Sequence, residues 1–178
     1  MRRLLLLRHA KAERSQPGGR DHDRILSKRG RNDAAAVGGY LVRHKLVPDR
    51  ALVSTSARTR ETWELVAKAF VKAPKAEFGG RIYEAPPEAI LNSIRETGTA
   101  GKTLIVVGHN PGMEALALLL TGDDDNGLRS EMSTKYPTAA LAEIALPVDH
   151  WRDVAPGTGQ LARFIRPRDL DPALGPED

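Results

Sequence analysis

Apolar residues along the chain form three short unbroken runs, 4–7, 51–53 and 104–107, each closed by charged or polar residues or glycine. Runs of three or four are too short for helices. Continuous rather than alternating, they suit strands covered on both faces, as in a parallel sheet. Helical spacing follows each run. Ala34, Val37 and Leu41 share one face of a segment over 27–45, and Trp63, Val66, Ala67 and Phe70 fall at i, i+3, i+4 and i+7. The stretch 113–120 is apolar nearly all round, the pattern of a buried helix. A shorter helix is predicted over 88–96, with Ile90, Leu91 and Ile94 inward and Pro86 and Pro87 at its start. Beyond Pro137, residues 139–146 and 160–165 read as two late strands, joined by a loop carrying His150, Trp151, Gly157 and Gly159.

Repeated strand–helix alternation predicts an α/β three-layer sandwich, with a mainly parallel central sheet and helices on both faces. A length of 178 residues at 40% hydrophobic content supports one well-buried core, so a single domain is expected over 1–166. The closing DLDPALGPED has the composition of a loose tail, and 167–178 is assigned to it.

Composition then removes several classes of function. With no cysteine, the chain has no disulfide, no thiolate nucleophile and no thiolate-ligated metal, which fits a reducing cytoplasm. Its five histidines are not paired at helical spacing and there is no HExxH pattern, so neither a metal nor a cofactor is expected. The apolar run at 4–7 ends at Arg8, too early for an export signal, and no segment reads as a membrane span. A net charge of +4 favours anionic partners. Nucleic acid is not among those expected, because like charges form no block and aromatics are only 4% of the chain. The oligomeric state is not legible.

In an α/β sheet, residues just beyond the carboxyl ends of the strands converge on one crevice, however distant in sequence. Here those residues are Arg8 and His9 after the first strand, Arg58 after the second, and His109 and Asn110 after the third. Arginine offers planar, forked donors matched to phosphate oxygens. Helices starting near Arg58 and beyond Pro111 add backbone donors. Such a cage stabilises a phosphoryl group in transfer by position and charge alone. His9, beside Arg8, is best placed to attack phosphorus if one ring nitrogen donates to a backbone carbonyl and the other stays open. His109 is expected to act as a charged donor to the phosphoryl oxygens, its pKa raised by the bound anion. Asn110, followed by Pro111 and Gly112, reads as shaping a turn. His22, His44 and His150 read as surface residues, and Trp63 as core. The segment GTAGKT at 98–103 is a turn into a strand, because a nucleotide-binding loop would instead open a helix.

Three stretches, LLLLRHAKAE, VSTSARTRET and VVGHNPG, resemble the signatures of the histidine phosphatase superfamily, also called phosphoglycerate mutase-like. DHDRILSKRG and YPTAALAEI extend the resemblance to the compact SixA-type phosphohistidine phosphatases. The resemblance implies a phosphohistidine intermediate on His9, with Arg8, Arg58 and His109 completing the phosphate pocket. It adds Arg24, with Asn110, as a substrate contact. Glu84 stands where larger relatives supply a proton donor, and a solvated loop charge explains it equally. Many relatives carry an acidic residue at the position of Lys11, which argues against sugar-phosphate mutase activity. The implied substrate is a phosphorylated protein, foremost a phosphohistidine, hydrolysed without metal and inhibited by vanadate. A small-metabolite phosphomonoesterase and a non-catalytic phosphate-recognition module are the alternatives.

Overall fold

The computed structural model describes residues 1–174. Six strands form one sheet: β1 (Arg2–Arg8), β2 (Arg50–Ser54), β3 (Ala76–Gly79), β4 (Thr103–Gly108), β5 (Leu141–Leu146) and β6 (Gln160–Ile165), in the spatial order β3-β2-β4-β1-β5-β6. The first four run parallel, while β5 is antiparallel to both of its neighbours. The helices are α1 (Lys28–Arg43), α2 (Ala57–Ala67), α3 (Pro87–Arg95), α4 (Gly112–Leu120), α5 (Leu128–Thr134) and α6 (Pro167–Leu170).

Why the apolar runs are unbroken is visible in the packing. Leu4 and Leu6 of β1, with Leu104 and Val106 of β4, point into one core built with Ile90, Leu91 and Ile94 of α3 and Met113, Leu116 and Leu120 of α4. Leu5, Leu7, Ile105 and Val107 point the other way, into a second core with Val37 and Leu41 of α1 and Trp63 and Val66 of α2. Alternate residues of one strand thus serve opposite cores, and neither face tolerates a polar residue. The expected three-layer sandwich is what forms.

Some elements carry no such signal. Strand β3 lies at the sheet edge, and its one large apolar residue, Phe78, is exposed with the Arg60 guanidinium 3.9 Å above its ring. Helix α5 follows Gly127, which is held at φ +75° and supplies no side-chain cap, and buries only Met132. Trp151 is fully buried within a single 3-10 turn in the late loop, and its indole N–H donates to the Gly101 carbonyl. The GTAGKT segment is a turn into β4, with the Lys102 and Thr103 amides donating to the Asp49 carboxylate. In the stretch expected as a tail, 167–170 form α6, and Leu170 packs on the second core; residues 175–178 of that stretch lie outside the described ones. Among the described residues no helix is long and apolar enough to cross a membrane.

Candidate active site

Strands β1, β4 and β2 lie side by side and parallel, so their carboxyl ends open on one edge. Arg8 is the last residue of β1, and His9 follows with its amide donating to the Gly108 carbonyl of β4 at 3.0 Å. The Ala139 amide donates to the His9 carbonyl, also at 3.0 Å, and the Ala10 amide donates to the Thr62 hydroxyl. The backbone on either side of His9 is therefore fixed from two neighbouring segments and from α2. The ring is buried, 8% exposed, and its Nδ1 lies 2.8 Å from the Ala10 carbonyl oxygen. A carbonyl can only accept, so Nδ1 carries the hydrogen and Nε2 the lone pair. Burial above all pushes the His9 pKa down, to about 3; the positive neighbours Arg58 and Arg8 act in the same direction, against the Ala10 hydrogen bond.

Arg58 enters from α2. Ser56 caps this helix, accepting from the Thr59 amide, and the Thr59 hydroxyl donates to the Ser54 carbonyl, which locks the turn between β2 and α2. The Arg58 guanidinium is 2% exposed, and its Nη1 donates to the Asp21 carbonyl at 2.9 Å. Its Nη2 faces Glu84 Oε1 at 2.8 Å, Asp21 Oδ2 at 3.0 Å and His109 Nδ1 at 3.2 Å. That is three acceptors for two hydrogens.

His109, just beyond β4, stands with its ring centroid 5.4 Å from that of His9. Because Arg58 can only donate, His109 Nδ1 accepts, and Nε2–H then donates to the Ser54 hydroxyl at 2.7 Å. The charged donor expected at this position is not what the protein's own groups produce. Burial first, and the Arg58 charge second, push the His109 pKa down to about 3, so the ring is neutral unless an anion supplies the opposing field.

The crevice between these elements has a volume of about 520 Å³ and is lined by Arg8, His9, Arg58, Asp21, Glu84 and Lys135, among others. Arg24 and Asn110 also line it, but their polar atoms have structural partners. Arg24 donates to the Glu13 carbonyl and to Asp21 Oδ1. Asn110 accepts from the Glu114 amide in the first turn of α4 and donates to the Tyr136 carbonyl, which also receives a bond from Arg8. Gly112 begins α4 where a Cβ would lie 2.2 Å from the Ala85 carbonyl oxygen, so only glycine lets this helix start close to Glu84. Among the described residues no group of His, Asp or Glu is arranged to hold a metal ion.

Comparison with known proteins identifies the family. The sequence profile of the histidine phosphatase superfamily (branch 1) matches residues 4–78. An uncharacterised protein of Mycobacterium tuberculosis is 37% identical over 165 residues, which span 91% of this chain and 100% of the relative. SixA of Agrobacterium tumefaciens is 30% identical, superposes with a TM-score of 0.77 and is covered over 98% of its length by 93% of this chain. The chain belongs to the histidine phosphatase superfamily. SixA of Nakamurella multipartitia, at 28% identity and a TM-score of 0.81 over 93% of this chain and 96% of its own, places it in the SixA-type branch.

Sequence reasoning about this histidine phosphatase missed four residues of the site. Asp21 binds Arg58 through both its carbonyl and its carboxylate, Tyr83 donates its hydroxyl to Asp21 Oδ2, and Ser54 receives His109. His22, expected on the surface, donates or accepts at the Thr55 hydroxyl at 2.9 Å, and its ring meets Tyr83 edge-on. Asp21 and His22 stood beside Arg24 in DHDRILSKRG and Ser54 stood within VSTSARTRET, whereas nothing in the sequence marked Tyr83. His44 is exposed, with its ring on Tyr40, whereas His150 is only half-exposed and its Nδ1 is buried.

Two histidines held neutral make stability depend on acid. Both have folded pKa values near 3, below the unfolded value of 6.5. The unfolded chain therefore binds protons first as pH falls, and the stabilisation present above about pH 6.5 is lost progressively towards pH 3. Between pH 6 and pH 5 the loss is expected to be about 2 kcal/mol, before most carboxylates titrate. Urea unfolding at those two pH values measures it, and a stability that is flat across the interval would contradict the neutral pair.

Proposed function

We propose that the protein hydrolyses phosphohistidine on a protein substrate through a covalent phosphohistidine intermediate on His9, without a metal. The observation that carries this is the fixed tautomer of His9: Nδ1 is occupied by the Ala10 carbonyl, so Nε2 is the nucleophilic nitrogen in a crevice walled by Arg8 and Arg58. His9 Nε2 attacks phosphorus, a new N–P bond forms, and the bond from phosphorus to the leaving group breaks with its electron pair going to that group. Arg8 and Arg58 bind the equatorial oxygens, and the charge of the bound phosphoryl group favours uptake of a proton from solvent by His109 as substrate binds, so that it can donate as well. Water then attacks phosphorus and breaks the N–P bond, releasing inorganic phosphate and neutral His9.

Of the two carboxylates that line the crevice, Glu84, 3.4 Å from His109 Nδ1 and with fewer partners than Asp21, is the better candidate to exchange a proton with a leaving group. A phosphohistidine leaves as an imidazole, which is readily protonated from water, so this reaction depends less on such an acid than ester hydrolysis does. The names of the SixA neighbours, which suggest phosphohistidine phosphatase activity for them, favour the same substrate class. The test is incubation with a phosphorylated histidine-containing domain. Release of phosphate is expected to be unchanged by EDTA and blocked by vanadate. A label that never leaves the domain would remove this substrate class, and activity lost in EDTA and restored by zinc would remove the metal-free mechanism.

A further inference from the structure

The mouth of the crevice holds two carboxylates on the Arg58 flank, an unusual provision for a pocket that must admit a phosphoryl anion. They are not equivalent. Glu84 is bound by the Arg58 Nη2 group and lies near His109, and its own backbone is held at φ +49°. Asp21 is held at every oxygen it has: its carbonyl by Arg58 Nη1, Oδ2 by Arg58 Nη2 and the Tyr83 hydroxyl, and Oδ1 by Arg24 Nη1 at 3.0 Å. Tyr83 is braced in turn by the His22 ring, edge-on at a centroid distance of 4.9 Å.

Arg58 Nη2 has more acceptors than hydrogens, so an incoming phosphate oxygen displaces one of them. The carboxylate with fewer other partners, Glu84, is the one to yield. Asp21 stays, and the Tyr83, Arg24 and Arg58 donors keep it ionised. The basic residue Lys135 also lines the crevice, adjoining Tyr136, whose carbonyl binds Arg8. A substrate seated between Arg8 and Arg58 therefore has a fixed negative charge beside the group that carries its phosphate.

We infer that Asp21 is a specificity-determining residue that selects by charge: it disfavours phosphorylated substrates bearing a further anion near the phosphoryl group and favours those whose leaving group is neutral or cationic, as in phosphoramidates. This deepens the proposed function, because the imidazole of a phosphohistidine is such a leaving group. It also accounts for how one arginine-lined crevice would discriminate against carboxylate-bearing metabolites, which its arginines alone would attract.

The test compares two phosphomonoesters that differ at one carbon, glycerol 3-phosphate and 3-phosphoglycerate, in which a hydroxymethyl group is replaced by a carboxylate. Binding of each is measured by calorimetry on full-length His9→Ala protein, so that the result does not depend on turnover or on the identity of the nucleophile. Glycerol 3-phosphate is expected to bind about tenfold more tightly, the effect of one like-charge pair several ångströms apart near a surface. Adding Asp21→Asn is expected to narrow the ratio about fivefold, chiefly by tightening 3-phosphoglycerate. Tyr83→Phe, which removes a donor but keeps the Asp21 charge, is expected to leave the ratio within twofold. An unchanged ratio in Asp21→Asn, or an equal change in Tyr83→Phe, would overturn charge selection. Should Asp21→Asn unfold, Asp21→Glu carries the test: it keeps the charge and must keep the preference. Failure of phosphohistidine hydrolysis with the binding ratio behaving as expected would refute the proposed substrate and leave the selection intact.

Discussion

His9→Ala is expected to lower kcat by at least roughly 10⁴-fold while leaving the protein folded. The size of the effect follows from the lack of a substitute nucleophile within reach. His109 is the nearest imidazole, but its Nδ1 accepts from Arg58 and its Nε2 faces Ser54. Neither nitrogen offers an uncommitted lone pair to phosphorus. Folding should survive because the His9 ring makes one hydrogen bond, to the backbone of the next residue, while the segment itself is held by the His9 and Ala10 amides and the His9 carbonyl. Removing a histidine that is kept neutral also removes one source of acid sensitivity, so the variant should be less destabilised between pH 6 and pH 5 than the parent. Two readouts separate chemistry from damage. With a labelled phosphodonor, the parent should yield protein-bound phosphate that survives alkali and is lost in acid, and His9→Ala should yield none. Label of the same stability in the variant would place the nucleophile elsewhere.

What could be read before the structure was known depended on how each feature is encoded. The four consecutive leucines of β1 announce a strand because both of its faces are buried, and the same physics marks β2 and β4. Once three parallel strands are recognised, the positions of His9, Arg58 and His109 follow from the rule that strand ends share an edge. Strand β3 could not be found this way, since an edge strand with an exposed Phe78 has no buried face to advertise it. Asp21 and Tyr83 were hidden for a different reason. They reach the site from a 3-10 turn and from the segment before α3, 62 residues apart, and meet only because both close on the same guanidinium and on each other. Nor could spacing reveal that His109 would be neutral, because its charge is decided by burial and by Arg58, not by its neighbours in sequence.

Arg58→Ala is expected to cost roughly 10³-fold in kcat/KM, the scale on which an arginine stabilises a phosphoryl group in transfer. Arg58→Lys should recover little of it. The guanidinium serves the Asp21 carbonyl through one nitrogen and the Asp21 and Glu84 carboxylates through the other, and a single ammonium cannot span that arc. The variant leaves Asp21 and Glu84 facing the phosphate without their intervening cation, so part of the loss is repulsion of substrate and should appear in KM. A pH measurement distinguishes this from general disorder. Arg58 is among the groups that depress the pKa values of both His9 and His109. Without it their folded values should rise from about 3 while burial still holds them below 6.5, so the stability lost between pH 5 and pH 3 should be smaller than in the parent. A pocket that had merely loosened would also admit water to both rings, but it would not discriminate between the two replacements. Arg58→Lys, which retains the positive charge, should keep the steep acid dependence while remaining catalytically impaired. If Arg58→Lys lost both together, or regained both together, the separation of charge from geometry at this residue would be wrong.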